Sequence, residues 1–230
     1  MKDENGKVLI QDYYKGITIN TEVSELLESV PYDADELNSS LGIHASEEVG
    51  KNYQEALQYP SLNVRQIGTS WKGKGLKTVI PEYATADIDV RLVPETDGEI
   101  QLEKIKNHIA NQGYYIIDRD PTDEERQLHS KIVNFISNPG INAFRTNPDS
   151  DFGKKIRTSL SEGFGETPVV IRLMGGTVPI VPLINKLNVP TVIIPMVNMD
   201  NNQHSPNENI RIGNIRQGIK ICLTLLKTEF

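Results

Sequence analysis

The 230-residue chain carries 24 Lys+Arg against 31 Asp+Glu, a formal net charge of -7 spread along the sequence without a block of one sign. Nucleic acid and anionic membrane surfaces both call for a basic patch, so neither is indicated as a partner, and no apolar run is long enough to span a bilayer. The single cysteine, Cys222, excludes an intrachain disulfide and falls on an apolar stripe expected to be buried. The first residues are polar with no apolar leader core behind them; a cytoplasmic setting is favoured, with the compartment left open because the true N-terminus is expected to lie upstream.

In chain order, the turn at Asn5-Gly6 leads into an extended segment over 7–10. Short helical pieces follow from 21 to 57: one with Thr21 as N-cap, one around 33–38, and one over 46–57, where Glu47-Glu48 reads as a solvated face. Tyr59-Pro60 ends that region, since the residue before proline is driven to an extended conformation. A strand is predicted over 62–67. The glycine-rich loop 68–75 lacks the spacing and the following helix of a phosphate-binding loop. Residues 83–93 form the clearest strand: Ala84, Ala86, Ile88, Val90 and Leu92 alternate with polar residues that include Asp87, Asp89 and Arg91. By pattern alone, Arg91 makes a cross-strand ion pair.

A helix is predicted over 98–112 with Ile100, Ile105 and Ile109 inward and His108 solvated, then a strand over 114–118. Strand, strand, helix and strand in that order make an antiparallel α+β unit. After a polar boundary at 118–123, a helix is predicted over 122–137, with Leu128, Ile132, Val133 and Ile136 on one side and a structural His129 near that stripe. Turns at Pro139-Gly140 and Asn147-Pro148 precede a change of texture. Helix 150–162, strand 168–173, helix 177–187, strand 190–195 and helix 209–227 alternate as in a parallel α/β layer, whose ligands bind at the C-terminal strand ends.

Two loops leave those ends. Gly175-Gly176-Thr177 either brings backbone N–H groups and a Thr-capped helix start to an anion or is an ordinary tight turn. The other loop, 198–208, centres on His204, a candidate metal ligand with Asn and Glu at hand to orient it.

Taken together, Tyr59-Pro60-Ser61-Leu62, Lys77-Thr78-Val79-Ile80-Pro81, Ile88-Asp89-Val90-Arg91-Leu92-Val93-Pro94, Gly175-Gly176-Thr177-Val178-Pro179 and His204-Ser205-Pro206-Asn207-Glu208 resemble the C-terminal half of a co-catalytic zinc exopeptidase. The family is that of the aminoacylases, carnosinases and acetylornithine deacetylases, with the dipeptidases nearest. The resemblance implies an α/β catalytic segment of parallel-type strands and helices plus an α+β ferredoxin-like lid or dimerisation domain, each incomplete in this chain. It divides the sequence into a lid over 1–120, a connecting helix and linker over 121–144, and a closing catalytic part over 145–230. It implies two zinc ions, or other divalent metals, in the complete enzyme, with His204 as one ligand. Thr78, Arg91, Gly176 and Thr177 would bind a small substrate through its free carboxylate, and the lid would make a homodimer.

The reaction so implied is metal-dependent hydrolysis of dipeptides or N-acyl amino acids. The alternative is an inactive chain serving as lid and dimerisation module, because the family's other zinc ligands and its general base have no counterpart here: His44 is followed by Ala45-Ser46, and no His-x-Asp motif occurs.

Overall fold

Alternating apolar and polar residues give a strand two unlike faces, and Ala84–Arg91 builds a strand of the first of two units on that basis. The computed structural model describes residues 1–71, 78, 80–138 and 140–230. One unit comprises Met1–Phe144 with Leu173–Thr177, the other Arg145–Arg172 with Val178–Phe230. Residues 72–75 of the glycine-rich loop expected over 68–75, Lys77 and Val79 of the Thr78 motif, and Pro139 of the Pro139-Gly140 turn lie outside the described residues.

In the first unit, β1 (Ser61–Thr69) pairs antiparallel with β2 (Ala84–Arg91). The register sets Ser61 opposite Arg91 and Leu62 opposite Val90, with an irregularity between Val64 and Gln66. Leu62, Ile88 and Val90 pack with Val8, Ile10, Tyr13 and Ile105 in the core. The buried Tyr13 hydroxyl donates to Ser61 O at 3.0 Å, and Gln101 Nε2 donates to Tyr13 O at 3.0 Å, so two backbone carbonyls of the core are satisfied by side chains. Burial pushes the Tyr13 phenol well above its ordinary pKa. The inward face predicted for the whole of β2 holds only at Ile88 and Val90; Ala84 and Ala86 are exposed, as is Ile67 of β1 at 77%.

Three helices precede β1: α1 (Thr21–Glu28), α2 (Ala34–Leu41) and α3 (Tyr53–Ala56). Asn20, rather than Thr21, caps α1 by accepting from Val23 N, and Asp33 caps α2. The helix expected over 46–57 shrinks to the one turn of α3 behind the Asn52 cap. Its upstream residues serve another purpose, since Glu47 pairs with Lys2 and packs against Gly6, where φ is +86° and a Cβ would sit 2.5 Å from Glu47 Cγ.

Helix α4 (Gly98–Ala110) starts at Asp97, whose carboxylate accepts from Glu99 N and Ile100 N. These bonds, with that from Asn142, hold Asp97 below the usual carboxylate pKa. Gln101 and Ile105, one turn apart, face the core. Ile100, predicted inward, is 58% exposed because it lies about 100° around the helix from Gln101.

Strand β3 (Tyr115–Ile117) follows, as expected, but it pairs in parallel with β4 (Ile132–Asn134), inside the segment predicted as a helix over 122–137. Only α5 (Asp123–Leu128) forms there, nucleated by a Thr122/Glu125 capping box. The β-branched pair Ile132-Val133 favours the pleated surface beyond it, and Leu128 and Ile136 point to solvent. His129 ends α5 and stacks on Tyr115 with ring centroids 3.8 Å apart.

In the second unit, α6 (Asp151–Phe164) packs against α8 (Ile212–Leu226), with Gly163 against Thr224 and a Thr228–Ser159 hydroxyl contact at 2.9 Å. Between them lies α7 (Val181–Leu187). The strands predicted over 168–173 and 190–195 are not assigned, and neither segment has a ladder partner among the described residues. A parallel strand takes its hydrogen bonds from neighbouring strands, and here Thr191 bonds instead to the Thr146 hydroxyl, donating its N–H at 2.9 Å. Cys222, expected to be buried, is exposed. The packed side of α8 carries Gly218 against Met196 and Thr224 against Gly163, and the predicted stripe lines an open depression of about 420 Å³. No helix among the described residues is long and apolar enough to cross a membrane.

This packing predicts that Leu62→Ala, at a site 2% exposed, lowers unfolding free energy by about 2–4 kcal/mol. Ile136→Ala, at a site 83% exposed, should cost less than about 0.5 kcal/mol. Urea unfolding of both variants measures this, and equal losses would restore the long helix over 122–137.

Candidate functional site

Arg91 is the last residue of β2, and strand geometry sends its side chain to the face opposite Val90, which packs on the core. On that outer face, Arg91 Nε donates to Asp89 Oδ2 at 2.6 Å, so the expected cross-strand ion pair is in fact a pair along one strand, two residues apart. The side chains of Arg91 and Asp89 are 49% and 26% exposed, a setting in which an ion pair adds little stability. Arg91 Nη1 also donates to Thr177 Oγ1 at 2.9 Å.

Two residues singled out in sequence 86 positions apart are thus in direct hydrogen-bond contact within the first unit, to which Leu173–Thr177 belongs. Thr177 does not cap the following helix. That helix, α7, begins at Val181 after an Ile180 cap position with no side-chain cap bond. The Gly175-Gly176-Thr177 turn presents its threonine to Arg91 instead. A Cβ on Gly175 would lie 3.1 Å from Leu57 Cδ2, whereas a Cβ on Gly176 would meet nothing within 4 Å; space beside Gly176 is therefore open to a ligand. Thr78 is exposed, and both of its chain neighbours lie outside the described residues.

The second unit carries His204 on a loop built from asparagines. Asn198, itself buried, donates through Nδ2 to Asp200 Oδ1 at 2.9 Å and to Asn209 Oδ1 at 3.3 Å, and its Oδ1 accepts from Arg211 N at 3.1 Å. Asn209 N donates to Asn201 O at 2.9 Å, closing the loop across its base. Gln203 N donates to Asn201 Oδ1 at 3.1 Å, and Asn202 Nδ2 bonds to Pro206 O. Asn202, His204 and Asn207 all have left-handed backbones, with φ of 58°, 62° and 64°. Asparagine and histidine are the non-glycine types enriched there. The result is an exposed imidazole on a cross-braced support. The Asn198 hydrogen bond, aided by the Arg211 guanidinium, holds Asp200 below the ordinary carboxylate range.

Hydrolytic zinc takes three protein ligands and an open position. Among the described residues no group of three or more His, Cys, Asp or Glu could hold a metal ion, so His204 by itself does not make a metal centre. Sequence reading missed Asp89 as the partner of Arg91, although same-face i, i+2 spacing pointed to it. It also missed the bracing role of Asn198, Asn201 and Asn209, whose signal was the density of asparagine in 198–209.

Residues 20–116 match the family model described as "Peptidase dimerisation domain". The chain is 26% identical over 228 residues to the Cys-Gly metallodipeptidase of Schizosaccharomyces pombe, covering 96% of this chain and 44% of that protein. To the human Beta-Ala-His dipeptidase it is 25% identical over 235 residues, covering 95% of this chain and 42% of that protein. Among solved structures, an M20 family metallo-carboxypeptidase from Sulfolobus solfataricus aligns with a TM-score of 0.74 at 29% identity, over 99% of this chain and 49% of that one. The chain therefore spans about half the length of the relatives it matches. The fold class stands on these matches: a dimerisation domain joined to an α/β segment.

The bracing of the His204 loop makes a local prediction. Asn198→Ala removes the acceptor of the Arg211 N–H, and amide exchange at Arg211 should accelerate at least about tenfold. Native-state hydrogen exchange read by NMR checks this; unchanged protection would show that the loop is held by other contacts.

Proposed function

We propose that this chain belongs to the M20 peptidase family, to whose dimerisation domain and members it is similar, and that it supplies the substrate-recognition part of a metal-dependent exopeptidase acting on dipeptides or N-acyl amino acids. The observation that carries this reading is the Arg91–Thr177 hydrogen bond. A guanidinium and a hydroxyl side by side are matched to a free carboxylate, since the planar Arg fork can serve both oxygens of such a group. Gly176 adjoins this pair with open space beside it, and Thr78 is assigned to the same substrate from its motif. The relatives are named as a Cys-Gly metallodipeptidase and a Beta-Ala-His dipeptidase, both enzymes whose substrates carry a terminal carboxylate.

In this proposal His204 is one zinc ligand and the remaining ligands come from outside this chain. When bound, the metal would supply Lewis-acid activation of water; the residues of this chain bind and orient the carboxylate end. The match of residues 20–116 to a dimerisation domain supports a homodimer formed through that region. One observation favours a second reading, in which the isolated chain binds and dimerises without hydrolysis: the described residues contain no three-ligand group.

For the recognition role, titration of the chain with N-acetylglycine, followed by NMR or calorimetry, should give saturable binding that Arg91→Ala weakens at least about tenfold, the factor corresponding to 1.4 kcal/mol. Wild-type affinity in Arg91→Ala would sink the role. For the ligand role, zinc added to the chain should perturb the ring signals of His204 ahead of those of His44, His108 and His129, and His204→Ala should abolish that first response. Equal perturbation of all four rings would remove His204 from the proposed metal set.

A further inference from the structure

We infer that Asp89 is a positioning residue: by holding Arg91 Nε it fixes the guanidinium against Thr177 Oγ1, with its remaining N–H donors and the Thr177 hydroxyl hydrogen available to a ligand. This rests on the carboxylate-binding reading of Arg91 and goes beyond it by assigning a role to a residue that does not itself touch substrate.

The geometry is that of a rigid plane held at two points. A guanidinium has five N–H donors in fixed relation. One, on Nε, goes to Asp89 Oδ2 at 2.6 Å, and one, on Nη1, goes to Thr177 Oγ1 at 2.9 Å. Two anchors on different nitrogens fix the orientation of the whole plane, and the three remaining donors sit on the two Nη atoms at its far end. The strand supplies the first anchor without a loop or a long lever. Asp89 and Arg91 share the outer face of β2, while Val90 between them packs on the core opposite Leu62. Asp89 lies across the ladder from Asn63, and Asp87, two residues earlier, is on the same face.

A chemical polarity follows. A threonine hydroxyl can donate once and accept through its lone pairs. With Arg91 donating to Oγ1, one lone pair of the hydroxyl is taken and the Thr177 hydrogen stays available to a ligand. Arg91 and Thr177 together then offer N–H and O–H donors, which suits an acceptor such as a carboxylate and opposes an ammonium group. Without Asp89, the long Arg91 side chain regains its rotamer freedom, and the entropy of fixing it is charged to ligand binding.

Charge and positioning predict opposite signs, which makes the inference testable. If Asp89 were only a neighbouring negative charge, removing it would tighten binding of an anion. If it positions Arg91, removing it weakens binding. The experiment titrates the full chain and its variants with N-acetylglycine and with its uncharged amide. In Asp89→Ala, affinity for N-acetylglycine should fall about tenfold, a change of about 1.4 kcal/mol, while affinity for the amide stays as in wild type. Asp89→Asn, which keeps an acceptor for Nε at the same length, should recover part of the loss. In an Arg91→Ala background, Asp89→Ala should have no further effect.

Unchanged or tighter N-acetylglycine binding in Asp89→Ala overturns the inference. So does an equal loss in the Arg91→Ala background, which would mark a structural effect. Absence of N-acetylglycine binding in wild type, or its persistence in Arg91→Ala, overturns the carboxylate-binding reading itself, so the two failures are distinguishable.

Discussion

The register of the β1–β2 ladder is the constraint on which the Arg91–Thr177 pair depends. With Leu62 opposite Val90 and Ser61 opposite Arg91, the apolar pair enters the core and the arginine stands on the outer face. Strand periodicity is two, so a slip of one residue would drive the guanidinium toward Ile105 and Tyr13 and expose Val90. Burying an arginine without a partner costs far more than any surface pair returns, so the register is defended from both sides. The Tyr13 hydroxyl bonded to Ser61 O reinforces it at the residue that faces Arg91. Core packing and the aim of the Arg91 side chain are thus one specification.

The His204 loop reaches definition by another route. It has no apolar anchor of comparable weight; its order comes from amides that both donate and accept. Asn198 and Asn201 are buried, and their side chains hold backbone N–H groups of Arg211 and Gln203 that would otherwise go unpaired. Three left-handed residues within 202–207 give the chain its turns. Asparagine serves here because its short amide bonds to nearby backbone and it tolerates positive φ, two properties that aliphatic residues lack.

Much of this was legible in the sequence wherever pattern and local chemistry agreed. Alternation along 84–91 and the helical spacing of apolar residues over 98–112 and 150–162 are local signals, and the elements formed where they pointed. The segment 122–137 was not legible. Leu128, Ile132, Val133 and Ile136 fit a helical stripe, yet Ile132–Asn134 is drawn into a parallel ladder with Tyr115–Ile117, a contact that no local window contains. Residues 168–173 and 190–195 show the reverse: their composition suits a doubly covered strand, but strand structure requires neighbours to share its hydrogen bonds. Cys222 illustrates a third limit. Helical spacing identifies a stripe on α8, but the side that is covered depends on Met196 and Gly163. At the site, motifs picked out Arg91 and Thr177, while the bond between them depends on Leu173–Thr177 joining the first unit.

The two candidate functions in this chain differ in how much structure each requires. Recognition of a carboxylate needs donors near one point, and two side chains suffice when one is a guanidinium already oriented by a carboxylate on its own strand. Such a site can be complete within a single unit, and the Asp89–Arg91–Thr177 chain of hydrogen bonds is complete in that sense. A hydrolytic metal imposes a harsher condition: three ligand atoms must converge at about 2 Å from one point while a fourth position stays open. A single imbedded loop meets one third of that demand however well it is braced. This asymmetry separates the hydrogen-bonded Arg91–Thr177 pair from the braced His204 imidazole, which among the described residues has no group of three ligands around it. It also assigns the order of dependence: the donors at Arg91 and Thr177 are arranged by this chain's own fold, whereas His204 gains chemical meaning only when other ligands meet it.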